Sequence, residues 1–87
     1  MSDIYRNLLR DTCVELRALA LEARGTHILE KSGTGAFDYG SGRLIALIET
    51  LSMIQQNAKA FGIPLEEIGL PNIEPEEEFT LTPEYPR

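Results

Sequence analysis

The sequence predicts an all-α protein whose body is an antiparallel helical hairpin. Apolar residues recur every three or four positions in two long stretches, which is the period of one helical face. A glycine-rich connector separates the stretches, and all five prolines follow residue 63, so no proline interrupts either one. Residues 1–63 hold seven acids and seven bases, whereas residues 64–87 hold seven glutamates and a single arginine. We therefore expect a hairpin body over 1–63 and an acidic, proline-rich tail over 64–87.

The first helix is predicted from residue 3 to about 24, with Ser2 or Asp3 as its cap. Gly25 is a plausible stop. One glycine costs a helix only ~1 kcal/mol relative to alanine, however, so an extension to about residue 31 stays open. An apolar face follows the helical period, flanked by a stripe of arginines that repeats every seven residues. The expected face is Ile4, Leu8, Thr12, Leu16, Leu19 and Ala23, and the stripe is Arg10, Arg17 and Arg24.

The second helix is predicted over residues 41–61. Asp38 or Ser41 can cap its start with a side-chain oxygen. At its end, Gly62 can take the left-handed conformation that closes a helix, and Ile63 can then fold back onto Ala58.

The apolar arc of this second helix spans about half of the circumference, more than the ~100° stripe that one neighbouring helix requires. Since one partner helix cannot cover such an arc, we expect two chains to pair as a homodimeric four-helix bundle. Gln55 lies within the arc, and we favour an edge position that reaches water over a buried position that fixes register. The expected oligomer interface is Leu44, Leu47, Ile48, Leu51, Ile54, Gln55, Ala58 and Phe61.

The tail is predicted to begin with a one-turn helix near residues 64–68 that ends at Gly69, and to be extended from Leu70 onward. Two roles stay open for it. Its glutamates can lie along the stripe of Arg10, Arg17 and Arg24, with apolar residues such as Ile73, Phe79, Leu81 and Tyr85 docking. Alternatively, the tail carries its acidity to a partner protein through Glu74, Glu76, Glu77, Glu78 and Phe79.

No catalytic, metal or cofactor site is predicted. Gly35 and Gly40 have the spacing of a phosphate-binding loop, but Ser41 and Gly42 stand where lysine and Ser/Thr are required. His27 is the only histidine and is expected to be a solvated or dipole-satisfying residue near a helix end. Cys13 is expected to be a small apolar filler, and as a single cysteine it cannot form an internal disulfide.

Composition narrows the classes of function further. The N-terminal stretch has scattered arginines and no continuous apolar run, which argues against a signal peptide or a membrane span. We therefore expect a cytoplasmic protein with no membrane partner. A net charge of −6 argues against direct nucleic-acid binding, which requires bases that displace counterions.

These observations favour a small non-enzymatic interaction protein, a homodimer that binds and masks an unidentified protein partner. An acidic helical hairpin is similar in general build to bacterial toxin-neutralising immunity proteins, although no motif is shared. One alternative is an acidic mimic that inhibits a nucleic-acid-handling protein. Another is an adaptor or an obligate subunit of a larger complex, because the wide apolar arc suits a different chain as well as a second copy.

Overall fold

The computed structural model describes residues 2–79, and these residues form helices with no strand. Helix α1 spans Asp3–Ile28 and α2 spans Gly35–Ala60, followed by a 3₁₀ turn at Leu65–Ile68 and a short helix α3 at Pro75–Phe79. The two long helices contact each other extensively, and the ion pair between Glu22 and Arg43 joins them near the connector. The prediction of an all-α fold built on a helical hairpin is confirmed.

The starts of both long helices are set by side-chain caps. Ser2 caps α1, as predicted, and α1 continues through Gly25 to Ile28, within the extension that the sequence left open. The predicted start of α2 at residue 41 is wrong. Thr34 caps this helix by accepting a hydrogen bond from the Phe37 N–H at 3.0 Å, so α2 begins six residues earlier, at Gly35. A threonine cap within a glycine-rich stretch does not stand out from a loop signal.

The end of α2 follows the prediction. Gly62 has φ +74°, and the Ile63 N–H donates to the Ala58 carbonyl at 2.8 Å. Gly69 ends the 3₁₀ turn in the same left-handed region, with φ +76°. A Cβ at Gly69 would lie 2.8 Å from Val14 Cγ2, so this turn also needs glycine for its close approach to α1.

The predicted inward face of α1 is wrong except at Ala23, which is buried, and at Leu16, which is half-buried. Ile4 and Leu8 are 77% and 64% exposed, whereas small residues occupy the contact with α2. Small side chains allow the two helix backbones to approach closely, and this gain outweighs the larger apolar area of the neighbouring stripe. The inward face consists of Cys13, Ala20, Ala23 and His27, flanked by half-buried Leu9 and Leu16.

Residues 63–79, which we call the arm, run back along the hairpin. The 3₁₀ turn packs on α1, and α3 packs on α2 and α1. The prediction of an extended course from Leu70 is wrong at Pro75–Phe79, where α3 forms and Phe79 has no exposed surface. Leu81 and Tyr85, the other predicted docking residues, lie outside the described residues. The arm contributes five buried residues to the core: Leu65, Ile68, Leu70, Pro75 and Phe79.

Gln55 holds the arm to the hairpin. Its side chain is 5% exposed, and its amide donates to the Ile73 carbonyl at 3.0 Å and to the Pro71 carbonyl at 3.4 Å. The predicted solvent-reaching position of Gln55 is therefore wrong, because the arm covers it. Among residues 2–79, no helix has both the length and the apolar content needed to cross a bilayer.

Candidate interaction face

The arm lies on one side of the hairpin, which we call the covered side. On α1, Arg6 forms an ion pair with Glu67, and Arg17 donates from Nε to Glu78 Oε2 at 2.9 Å. On α2, besides the Gln55 hydrogen bonds, Glu76 of the arm lines a shallow recess with Ile45 and Ile48. With 3.6 residues per turn, the residues on the other side of the contact between α1 and α2 form a second surface. No part of the arm within residues 63–79 lies on it, and we call it the uncovered face.

The uncovered face is rich in exposed apolar side chains. Tyr5, Leu8 and Phe61 are 67%, 64% and 80% exposed, and Leu19 is 42% exposed. Half-buried leucines and an isoleucine fill the middle of the face. Contiguous exposed apolar surface of this kind marks interaction sites in proteins. The members of the uncovered face are Tyr5, Leu8, Leu9, Thr12, Leu16 and Leu19 of α1, together with Leu47, Thr50, Ile54 and Asn57 of α2 and Phe61 that caps it.

The apolar character is strongest at the free end of the hairpin, opposite the connector. There a groove of about 190 Å³ opens between the two helices and the start of the arm. Its wall is apolar except for one amide side chain. The lining residues are Leu9, Ile54, Asn57, Ala58, Phe61, Ile63 and Ile68.

The charged side chains are concentrated away from the apolar surface described above. None of the face residues named above is charged, but Glu15 and Glu22 line a recess with Leu19 at the edge of the face. The ion pair between Glu22 and Arg43, at 3.6 Å, lies towards the connector end. Residues 64–79 of the arm contain six glutamates and neither lysine nor arginine. Glu66, Glu74, Glu76 and Glu77 are exposed. The molecule therefore presents a neutral apolar surface on one side and an acidic surface on the other.

At the connector end, His27 is buried among polar partners. Its Nδ1 lies 2.7 Å from Glu30 Oε1, and its Nε2 lies 3.0 Å from Ser41 Oγ. An ionised carboxylate can only accept, so Nδ1 donates to Glu30, and Nε2 shares a hydrogen bond with the Ser41 hydroxyl. The Phe37 ring lies against the imidazole, with centroids 4.6 Å apart. His27 lies in the last turn of α1, as predicted, but the solvated alternative is wrong because these residues enclose it.

The order Ser41, His27, Glu30 resembles the hydrogen-bond order of a serine–histidine–acid triad. Ser41 lies inside α2, however, so the N–H groups beside it are committed to the helix and cannot stabilise an oxyanion. The imidazole is also only 4% exposed. What this cluster does is join the end of α1 to the start of α2. Sequence reasoning missed it because Ser41 lies 14 residues from His27, and only the register of the hairpin brings them together.

The predicted interface residues divide into two groups. Leu44, Leu51, Gln55 and Ala58 are buried within the single chain, while Leu47 and Ile54 are half-buried on the uncovered face. Half-buried Ile48 lines the recess on the covered side, and Phe61 is 80% exposed at the end of α2.

The residues of the predicted arginine stripe and of the predicted tail also differ in their contacts and exposure. Arg17 contacts Glu78, the side chain of Arg10 packs beside Gly69, and Arg24 is half-buried farther along α1. Phe79 is fully buried, whereas Glu74, Glu76 and Glu77 are exposed. In the described part of the chain, no three histidine, cysteine or acidic residues cluster so that they could hold a metal ion.

Comparisons with protein-family models, curated proteins and solved structures found no significant match to this chain.

Proposed function

We propose that this protein is a small non-enzymatic interaction module that forms a homodimer through its uncovered face and uses its acidic arm to bind and mask a partner protein. The observation that carries the proposal is the uncovered face. Tyr5, Leu8 and Phe61 are at least 64% exposed on one side of a hairpin whose other side is covered by its own chain.

The size of the face supports pairing with a second chain. The molecule measures 47 × 23 × 15 Å, so a side that carries both long helices is of the same order as the about 800 Å² that a stable interface buries on each partner. Pairing across this face stacks two hairpins and so makes a four-helix bundle with the arms outside.

Charge supports a second copy as the occupant. None of the named face residues is charged, whereas the six glutamates of residues 64–79 lie on the arm. In a face-to-face dimer the two acidic arms are separated by both hairpins, so their repulsion is weak beyond a Debye length of about 8 Å at physiological salt. A basic partner, by contrast, is attracted to the arm and not to the uncovered face.

The exposed glutamates of the arm support a partner protein with a basic surface. A toxin-neutralising or adaptor role fits this class. Glu66, Glu74, Glu76 and Glu77 also favour a second candidate function, in which the carboxylates occupy the phosphate-binding surface of a nucleic-acid-handling protein.

Multi-angle light scattering over a range of protein concentrations tests the dimer, and a mass of twice the chain mass of 9.7 kDa is expected. A mass that stays at that of one chain across the range would overturn the homodimer. The partner is tested by co-purification from the native cell at low salt, with a variant that carries Glu74→Gln, Glu76→Gln and Glu77→Gln as the matched control. A basic protein that the wild type retains and the variant releases is expected.

A further inference from the structure

We infer that Phe61 of each copy inserts into the free-end groove of the other copy, so that two Phe61 side chains exchange across a two-fold axis at the free end. This inference rests on the proposed homodimer and specifies how it is built. It commits the groove to one occupant, an aromatic side chain of a second copy.

The groove has the size and chemistry that a phenyl ring needs. Its volume is about 190 Å³, and its lining includes Leu9, Ile54, Ala58, Ile63 and Ile68. An apolar cavity of about 150 Å³ in a protein core is large enough to bind benzene. A ring that enters this groove therefore meets apolar atoms and leaves few polar groups without partners.

Phe61 is held in position to act as the inserted group. It is 80% exposed, so its ring is not part of the chain's own core. Its N–H donates to the Asn57 carbonyl at 3.0 Å, and Gly62 turns the chain away directly after it. An exposed aromatic side chain on a backbone that is already fixed by the helix end is typical of interface hot spots.

The position of Phe61 beside the groove determines the symmetry. Since the inserted ring and the groove share a border, one two-fold axis satisfies both contacts, and the dimer closes. The axis runs along the hairpins, so free end meets free end while the two hairpins stack over their length, as a four-helix bundle requires.

The first test replaces the inserted ring. Phe61→Ala is expected to raise the dimer dissociation constant at least about ten-fold. Because Phe61 is exposed, the circular dichroism spectrum of the variant should match that of the wild type. Met53→Ala is the control, since Met53 is a large apolar residue of α2 with 56% exposure that is not a member of the uncovered face, and its dissociation constant should change less than about two-fold.

The second test separates insertion from a general loss of apolar area. Asn57→Trp places a bulky ring at the groove and blocks it, while Phe61 stays available. A mixture of the Asn57→Trp and Phe61→Ala chains restores one of the two contacts, because Phe61 of the first enters the groove of the second, which lacks Phe61 in its wall but keeps its aliphatic lining. The mixture is expected to contain more dimer than either variant alone at the same total concentration.

The outcomes distinguish the two proposals. A wild type that stays monomeric overturns the homodimer and this inference together. A dimeric wild type whose dissociation constant is unchanged by Phe61→Ala overturns only the insertion. A mixture with no more dimer than the average of its two components also overturns the insertion and leaves the homodimer intact.

Discussion

At the scale of single residues, Gly40 decides whether the connector end can close. A Cβ at this position would lie 2.7 Å from His27 Nδ1 and would also overlap the Glu30 carboxylate. Both groups are nearly buried and hydrogen-bonded to each other, so neither can move without breaking the cluster. Gly40→Ala is therefore expected to lower the free energy of unfolding by about 1–3 kcal/mol, the usual cost of overpacking. Urea denaturation measures this change in the free energy of unfolding.

Gly42 supplies the control for Gly40. It lies in the same helix two residues further on, and a Cβ at this position would meet no packing neighbour within 4 Å. Since alanine is the better helix former, Gly42→Ala is expected to raise the free energy of unfolding by about 0.5–1 kcal/mol. If both alanines changed the stability equally, the close approach at Gly40 would not be what requires glycine there.

Cys13 gives the chain a dependence of stability on pH. Burial raises the pKa of this thiol above its ordinary value, because the thiolate would lose its hydration. The folded protein therefore holds the proton at pH values where the unfolded chain releases it, and the free energy of unfolding falls as pH rises above about 8.5, the ordinary pKa of a thiol. Below that pH both states are protonated and this contribution is constant.

The measurement compares wild type with Cys13→Ala between pH 7 and 10. Other groups titrate in both proteins, so the difference in their free energies of unfolding isolates the thiol. We expect the stability of Cys13→Ala relative to wild type to increase as pH rises. A difference that stays constant with pH would contradict a buried thiol at position 13.

Local signals at this scale were predictable from sequence. The cap at Ser2 and the left-handed closures at Gly62 and Gly69 each depend on a few consecutive residues. The burial of His27 was not predictable, because its enclosing residues come from the other helix. The same limit applies to Gln55, whose partners lie on the arm 16 and 18 residues away.

At the scale of elements, the arm is what distinguishes this molecule from a plain hairpin. Phe79 has no exposed surface, although it lies in a five-residue helix that could not form alone. Its burial therefore holds α3 against the hairpin. Phe79→Ala is expected to reduce the free energy of unfolding by about 3–5 kcal/mol, as large aromatic truncations in cores do.

Ile73→Ala is the control on the same arm, because Ile73 is 47% exposed and a smaller loss is expected. Equal losses for the two variants would show that the arm acts as a uniform cover and not through Phe79. Thermal or urea unfolding followed by circular dichroism measures both.

Arg17→Ala should change the free energy of unfolding by no more than about 1 kcal/mol, since its ion pair with Glu78 is partly exposed.

The existence of elements was more predictable than their position. The period of apolar residues identifies both long helices, yet the predicted start of α2 and the predicted face of α1 are wrong. On α1, two candidate faces compete: one with large side chains, including Leu8 and Leu19, and one with Cys13 and Ala20. The apolar periodicity of the sequence favours the face with large side chains. Close helix packing instead places the small residues at the contact and leaves the large ones exposed on the uncovered face.

At the scale of the whole molecule, Leu47 and Leu51, one helical turn apart on α2, allow folding and dimer formation to be tested separately. Leu51 is 1% exposed within the core, so Leu51→Glu places a carboxylate where neither water nor a base can reach it. A chain of this size has a total stability of roughly 5–10 kcal/mol, and a buried unpaired charge removes much of it. We expect Leu51→Glu to be unfolded by circular dichroism.

Leu47 is half-buried on the uncovered face, where a glutamate can turn towards water in the single chain. In a face-to-face dimer, two such carboxylates would be desolvated close to each other. Leu47→Glu is therefore expected to keep its helical spectrum and to run as a monomer in light scattering, while Gln56→Glu, which adds the same charge at an exposed position off this face, stays dimeric. A dimeric Leu47→Glu would place the interface elsewhere on the molecule, because two carboxylates cannot share a dry seam without a base.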